Sequence, residues 1–355
     1  MGVTLDNGSI AELLARASEA ETERPVRSRA LRKAARAALM WPEEAAALRE
    51  SGRSLTELRR VGPTIARMIA GWIADPPEVP EPPRTRRGFI TMAAARAIIA
   101  SDPSRRGALR GDLQTHTTYS DGAASVREMA ESYAALGHEY AAITDHSVGL
   151  KIAGGMDEAT LARQGEEIRT VNGELQARSF PLRLAWAIEM NLSPAGEGDM
   201  EPDVLGRLDL VLGAFHSKLR IAEDQTDRYL AAVRNPDVHV LAHPRGRVFN
   251  TRPGLNADWP RVFAAAAEEG MAVECDCYPD RQDLDIELLR AAGEAGCTIS
   301  IGTDAHHPDE LRFIEIGVAA TIAAGIPPER VLNFRPLPEL LEWSRGEARS
   351  ARRPR

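Results

Sequence analysis

The chain has 355 residues, 43% apolar and 27% charged, with a formal charge of −8, a balance that excludes collagen-like and disordered classes and leaves a globular protein. No apolar stretch is long enough to span a bilayer, and the start, Met-Gly-Val-Thr-Leu-Asp-Asn, lacks a basic region with an apolar core, so the expected location is cytoplasmic. Three cysteines, Cys275, Cys277 and Cys297, make no disulfide framework and are expected as buried thiols. The length allows two domains, or one large barrel with an appendage. Residues 1–110 hold 19 Arg and Lys against 13 Asp and Glu, and the rest hold 25 against 39. A basic front and an acidic back suit an anion-binding module joined to a metal-binding one, surface drift in an Arg-rich chain being the plainer alternative.

Residues 9–73 read as helical. Ser9 is placed to cap a first helix through Ile10, Leu13, Leu14 and Ala17, with Glu12 completing a capping box. A second helix runs from Pro25 to Leu39 and stops before Trp41-Pro42. Leu55 to Ile69 then reads as helix, tight turn at Gly62-Pro63, helix. That segment resembles a helix-hairpin-helix, which implies contact with the nucleic-acid backbone without sequence preference, backbone N–H groups at the turn facing a phosphate. The first of the two usual glycines is Arg60 here, leaving Gly62, while Arg59, Arg60 and Arg67 can supply positive charge instead. Residues 9–73 as a whole resemble the small N-terminal DNA-binding domain of family X DNA polymerases, so DNA is the implied partner. Lys33, the sole lysine before residue 109, would have to serve any Schiff-base lyase activity; a solvated helix face is its plainer reading.

Asp75-Pro-Pro-Glu-Val-Pro-Glu-Pro-Pro-Arg84 is a Pro-rich, semi-rigid linker, closed by Arg84, Arg86 and Arg87. The expected division is a helical unit over 1–74, linker and short helix over 75–108, a barrel over 109–336 and an Arg-rich tail over 337–355. Only about thirty residues separate linker from barrel, too few for a palm and fingers, which argues against polymerase activity.

From Leu109 onward apolar strands alternate with amphipathic helices. Strands are expected at 109–115, 140–145, 182–190, 208–215, 238–243, 271–277 and 298–303. Helices are expected near 125–136, 157–177, 223–234, 258–269, 284–295 and 308–324, the first with a Ser125–Glu128 capping box and Gly137 at its end. Seven such units suggest a relative of the eightfold barrel, whose active sites lie at the C-terminal strand ends. Metal-binding residue types fall at those ends. Gln114 and His116 stand two apart on the first strand and share a face, with Asp121 on a turn closed by Gly122. His146, Glu189, His216 and His243 end the next four strands, and Asp304 and His306 share a face after the last. Asp145 and His146 face opposite ways, and His146 is the expected ligand. His138, His239 and His307 fall outside the pattern. Five of eight histidines on one rim, beside carboxylates, would be costly to bury without a cation.

Gly-Asp-Leu-Gln-Thr-His-Thr-Thr-Tyr-Ser-Asp-Gly, Ile-Thr-Asp-His, the third-strand Glu189, Phe-His-Ser, Ala-His-Pro and Thr-Asp-Ala-His together resemble the PHP (polymerase and histidinol phosphatase) family over residues 109–335. Glu274-Cys-Asp-Cys-Tyr-Pro-Asp-Arg281-Gln-Asp283 and Arg247 point to the PHP domain of bacterial family X polymerases. The resemblance implies a distorted (β/α)7, TIM-like barrel and up to three divalent ions (manganese, zinc, magnesium or iron). The first would take Gln114, His116, Glu189 and Asp304; the second Glu189, His216 and His243, with Glu189 bridging; the third Asp121, His146 and His306. Gln114 stands where most members have histidine, and a neutral amide oxygen suits manganese or magnesium better than zinc. The implied chemistry is hydrolysis of phosphoesters by metal-activated water, with Glu189 and Arg247 as catalytic residues. Arg247 is the first candidate phosphate clamp, followed by Arg245, Lys218, Arg252 and Arg281. The favoured function is a 3′-end nuclease or phosphodiesterase on DNA. A histidinol-phosphatase-like enzyme for a small metabolite and a non-catalytic DNA-associated scaffold are the alternatives. The arginines after Trp343 (Arg345, Arg349, Arg352, Arg353, Arg355) are expected to be disordered and to add electrostatic contact with DNA.

Overall fold

A computed structural model describes residues 5–346. Its centre is a parallel sheet in sequential order: β1 (Gly111–Asp112), β2 (Tyr140–Ile143), β3 (Arg183–Asn191), β4 (Leu210–Ala214), β5 (Val240–Leu241), β6 (Ala272–Asp276) and β7 (Thr298–Gly302). β4 is buried along its whole length and so reads as a continuous apolar run, as strands covered on both faces do. The register aligns Glu189 with Leu212 and Cys275 with Ile301. The sheet nearly closes on itself beyond β1, where Leu113 N–H donates to Ile301 O (3.3 Å), Asp304 N–H to Gln114 O (3.0 Å) and His116 N–H to Ala305 O (2.9 Å). This is a distorted seven-stranded barrel.

Strand β1 is shorter than the expected 109–115. The chain stays extended, but side chains take over its hydrogen bonds: Gln114 N–H and Thr303 N–H both donate to Asp112 Oδ1, and Thr115 N–H donates to Thr144 Oγ1. Toward β7 the segment keeps its backbone pairing, through Asp304 N–H to Gln114 O and His116 N–H to Ala305 O, so Gln114 and His116 stay at the barrel mouth.

Helices α1 (Asn7–Ala20), α2 (Pro25–Ala38), α3 (Ala45–Glu50) and α4 (Pro63–Ala74) precede the barrel, followed by α5 (Met92–Ser101) and α6 (Pro103–Ala108). Between and after the strands run α7 (Val126–Leu136), α8 (Glu158–Ala177), α9 (Pro202–Leu205), α10 (Thr226–Val233), α11 (Trp259–Glu268), α12 (Ile286–Glu294), α13 (Ile314–Ala323) and α14 (Leu337–Arg345). The Ser125–Glu128 capping box opens α7, and Gly137 closes it in the left-handed conformation (φ 79°).

Four expectations are corrected. Asp6, not Ser9, caps α1, its Oδ1 accepting from Ser9 N–H (2.7 Å), and Glu12 turns inward toward Arg86 rather than completing a capping box. Leu55–Glu57 is a single 3-10 turn, so only the second helix of the expected hairpin forms, with Gly62 as its N-cap. The expected 308–324 helix begins as a 3-10 turn at Pro308–Phe313, His307 accepting from Asp309 N–H. The tail boundary at 336 is misplaced, because α14 buries Leu340 and pairs Arg345 with Asp209 (3.2 Å). Arg349, Arg352, Arg353 and Arg355 lie outside the described residues.

α1 to α4 share an apolar core built on Ile10, Leu14, Trp41, Leu48 and Ile69, to which the barrel loop contributes Phe249. The Pro-rich stretch is no free spacer. Arg86 within it is buried, its guanidinium donating to both Glu12 oxygens (2.7 and 3.0 Å), to Asn250 Oδ1 (2.6 Å) and to Glu19. Arg36–Asp280 (2.6 Å) and Phe89–Phe249, edge to face at 5.3 Å, complete the seam between helices and barrel.

Candidate metal centre

Glu189, near the end of β3, is fully buried at the barrel mouth, and four imidazoles and one amide converge on it. Its Oε1 lies 2.8 Å from His243 Nε2 and 3.0 Å from His216 Nε2. Its Oε2 lies 2.9 Å from Gln114 Nε2, 3.3 Å from His116 Nε2 and 3.5 Å from His146 Nδ1. Burial alone would push this carboxyl up, but the surrounding histidines outweigh it and hold Glu189 well below the usual carboxylate range. His116 Nε2 also approaches Asp304 Oδ1 (2.9 Å), and Asp121 Oδ1 lies 3.3 Å from His306 Nε2 and 3.6 Å from His146 Nε2.

Local structure aims these groups. Gly122 lets the Asp121 turn fold back, since a β-carbon there would sit 2.5 Å from His116 O. Asp145, opposite to His146 as expected, anchors the same turn: it accepts from Thr117 N–H (2.7 Å), Thr117 Oγ1 (2.6 Å), Ser120 Oγ (2.5 Å) and Gln164 Nε2 (2.7 Å). Asn191 Oδ1 meets His216 Nδ1 (3.2 Å), and Asp304 O meets His306 Nδ1 (2.7 Å), leaving each Nε2 turned to the centre. His243 and Asp304 adopt positive φ (25° and 51°), strain of about 1–2 kcal/mol each that over-determined sites tolerate.

The donor set fits divalent cations. Both ring nitrogens of His116 and the Nδ1 of His146 are buried without a hydrogen bond, although carboxylate oxygens stand 2.9–3.5 Å away. Orphaned buried nitrogens are costly, and lone pairs converging with carboxylates need a positive ion between them. Burial, with like charge on His116 and His216 and against the pull of Glu189, pushes His146 down to about 3, so that it is neutral, as a ligand must be. Among the described residues, three groups have ligand atoms within 4.8 Å of one another: His116, Asp121, His146 and His306; His146, Glu189 and His216; His116, Glu189 and Asp304. His116 and His146 therefore each face two groups, a sharing absent from the expected sets.

The cationic candidates separate. Arg247 is buried, with its guanidinium 3.7 Å from the Phe89 ring centroid, donating to Asp285 Oδ2 (2.9 Å) and Arg87 O (2.9 Å). Arg245 donates to the same Asp285 oxygen (2.5 Å). Both are thus paired with a carboxylate outside the cluster. Arg281 instead pairs with Asp304, and Arg252 is held down by burial and by the like charges of Arg220 and Arg281. Lys218 is exposed on the loop after His216. Arg59 and Arg60 face the barrel across a cleft, while Gly62 and Arg67 are exposed.

Sequence reading missed two groups behind the ligands. Glu274 Oε2 accepts from His243 N–H (2.7 Å), and Asp276 lies two residues on. Burial, reinforced by Asp276, raises Glu274 well above the usual range, and burial raises Asp276 to about 7. Their i, i+2 spacing in an apolar strand was the signal available.

No protein-family model matches the chain. The DNA polymerase/3′-5′ exonuclease PolX of Bacillus subtilis is 37% identical over 235 residues, 66% of this chain but only 40% of that protein. A probable phosphatase of Acetivibrio thermocellus is 28% identical over 232 residues, covering 62% of this chain and 90% of the relative. Among solved structures, histidinol phosphate phosphatase from Lactococcus lactis, in complex with zinc, L-histidinol and phosphate, is 14% identical with a TM-score of 0.42, covering 60% of this chain and 93% of that one. The chain is thus similar in sequence to proteins named as an exonuclease and a phosphatase, both of which act on phosphoesters. The chain belongs to the PHP family, close to the PHP domain of the family X polymerases.

Proposed function

We propose that the chain is a metal-dependent phosphoesterase that processes DNA 3′ ends. The observation that carries the metal-dependent part is the convergence of Gln114, His116, His146, His216 and His243 on both oxygens of the buried Glu189. Gln114, His116, Asp121, His146, Glu189, His216, His243, Asp304 and His306 would hold up to three ions, manganese or magnesium suiting the amide of Gln114 better than zinc. Divalent cations there supply Lewis acidity and lower the pKa of water for attack on phosphorus. The chain's own residues do the rest. Glu189 is kept ionised by its histidines, Asp121 and His306 leave one side of the cluster open to solvent, and Arg281 and Arg252 bring positive charge for the developing charge on the phosphoryl oxygens.

The DNA end as substrate is supported by the 37% identity to a polymerase/3′-5′ exonuclease and by the basic helical unit packed on the barrel. The relatives named as phosphatases favour a second reading, a small phosphate ester such as histidinol phosphate. Purified protein, reconstituted with manganese, should release nucleotides from a 3′ end faster than phosphate from histidinol phosphate, and His116→Ala should abolish both releases together with bound metal. Faster release from histidinol phosphate would favour the second reading, and no release from either would overturn both.

No helix among the described residues is long and apolar enough to cross a membrane.

A further inference from the structure

Between the helical unit and the barrel lies a cavity of about 250 Å³, lined by Lys33, Arg36, Arg59, Arg60, Tyr278 and Asp280 among others. We propose that it is a subsite for single-stranded polynucleotide, holding phosphodiesters adjacent to the one delivered to the metal centre; this rests on the DNA reading above.

Charge argues first. Arg36 is spent on Asp280 (2.6 Å), whereas Lys33, Arg59 and Arg60 make no ion pair among the described residues. Three uncompensated cations, presented by two separate segments to one concavity, match a repeating anion better than a single phosphate. Arg60 sits in the left-handed region (φ 67°), which favours glycine over a residue with a β-carbon, so its side chain is held there against strain.

Position argues second. The facing wall is Tyr278, whose hydroxyl donates to Glu310 Oε1 (2.8 Å), while the other oxygen of Glu310 accepts from His306 N–H (2.9 Å). The Arg281 guanidinium, paired with Asp304, lies 5.3 Å from the Tyr278 ring centroid. The cavity and the cluster therefore share a wall about one side chain thick, and Tyr278 adds an aromatic surface for a base.

The test uses the full chain and a fluorescein-labelled oligothymidylate. Anisotropy titrations in EDTA across a salt series should show that Lys33→Ala/Arg59→Ala weakens binding at least tenfold and flattens the slope of log K against log salt by about 1.4, two contacts' worth for single strands. Arg60→Gly, which relieves the strained backbone, should weaken binding with no loss of thermal stability. The ratio of oligonucleotide degradation to manganese-dependent hydrolysis of bis-p-nitrophenyl phosphate, which is too small to span the cavity and the cluster, should fall in all variants. Unchanged affinity and salt slope would overturn the proposal, as would absence of oligonucleotide binding by the wild type. Wild-type binding without hydrolysis of either substrate would instead sink the phosphoesterase reading and leave the subsite standing.

Discussion

Gln114 donates its amide Nε2 to Glu189 Oε2 at 2.9 Å, while its own Oε1 is buried without a hydrogen bond. A donor in that place occupies a lone pair of the carboxylate that a cation would otherwise use. Gln114→His replaces the donor with an imidazole lone pair. The variant should hold metal about tenfold more tightly or better at the Gln114–His116–Asp304 side. Elemental analysis after exhaustive dialysis should find more ions per chain than in the wild type. An unchanged metal content would mean that the amide does not limit that position.

Much of this centre was legible because period-2 geometry is local: Gln114 with His116 and Asp304 with His306 share faces whatever the rest of the chain does. The seven-unit alternation likewise followed from apolar runs separated by capped helices. What escaped depended on contacts across long separations. Glu12 looked like a capping residue and is instead the buried partner of Arg86, 74 positions away. Arg247 followed a ligand-bearing turn and looked like a clamp, yet Asp285 and the Phe89 ring claim it. Strand β1 was overextended because Asp112, read as an ordinary strand residue, accepts the hydrogen bonds that a ladder would have taken.

Arg247 and Asp285 offer a direct check on the clamp reading. Arg247→Met removes one guanidinium from Asp285 but leaves Arg245 on it, so the expected loss is about 1–3 kcal/mol. Asp285→Ala strips the carboxylate from both arginines and should cost about 3–5 kcal/mol. Chemical denaturation measures both. For the folded fraction of Arg247→Met, kcat/KM on bis-p-nitrophenyl phosphate should match the wild type, whereas Arg281→Met should lower it; a loss of tenfold or more in Arg247→Met would restore the clamp.

His138, outside the cluster, is buried against the Tyr133 ring, and burial pushes it down to about 4. The folded chain keeps this imidazole neutral, while the unfolded chain protonates it near its ordinary value. Between these values the unfolded state binds more protons, so its contribution is unperturbed above about pH 6.5 and stability falls as pH drops toward 4, by up to about 3 kcal/mol. His138→Gln removes that slope. Urea unfolding in EDTA at pH 7.5 and pH 5.0 should show the wild type losing about 2 kcal/mol more than the variant, the other titrating groups cancelling in the comparison. Parallel losses would place the protonation elsewhere.

Arg86 ties three parts of the chain together, since its guanidinium joins Glu12 and Glu19 of α1 to Asn250 of the barrel from a position in the Pro-rich stretch. Its side chain is 3% exposed, as is that of Glu12, so neither charge can be recovered by water when the other is removed. Glu12 keeps its ion pair with Arg16 (2.8 Å), so Arg86→Ala should cost about 1–3 kcal/mol, the charge-assisted hydrogen bonds to Glu12 and Asn250 that it removes. Glu12→Gln/Arg86→Met, which removes both charges and keeps the volume, should recover much of that loss. If the pair fastens the helical unit to the barrel, Arg86→Ala should also speed proteolytic cleavage within residues 75–91 relative to cleavage in the barrel, and the double variant should slow it again. Cleavage at the wild-type rate in both variants would show that Phe89–Phe249 and Arg36–Asp280 hold the seam without it.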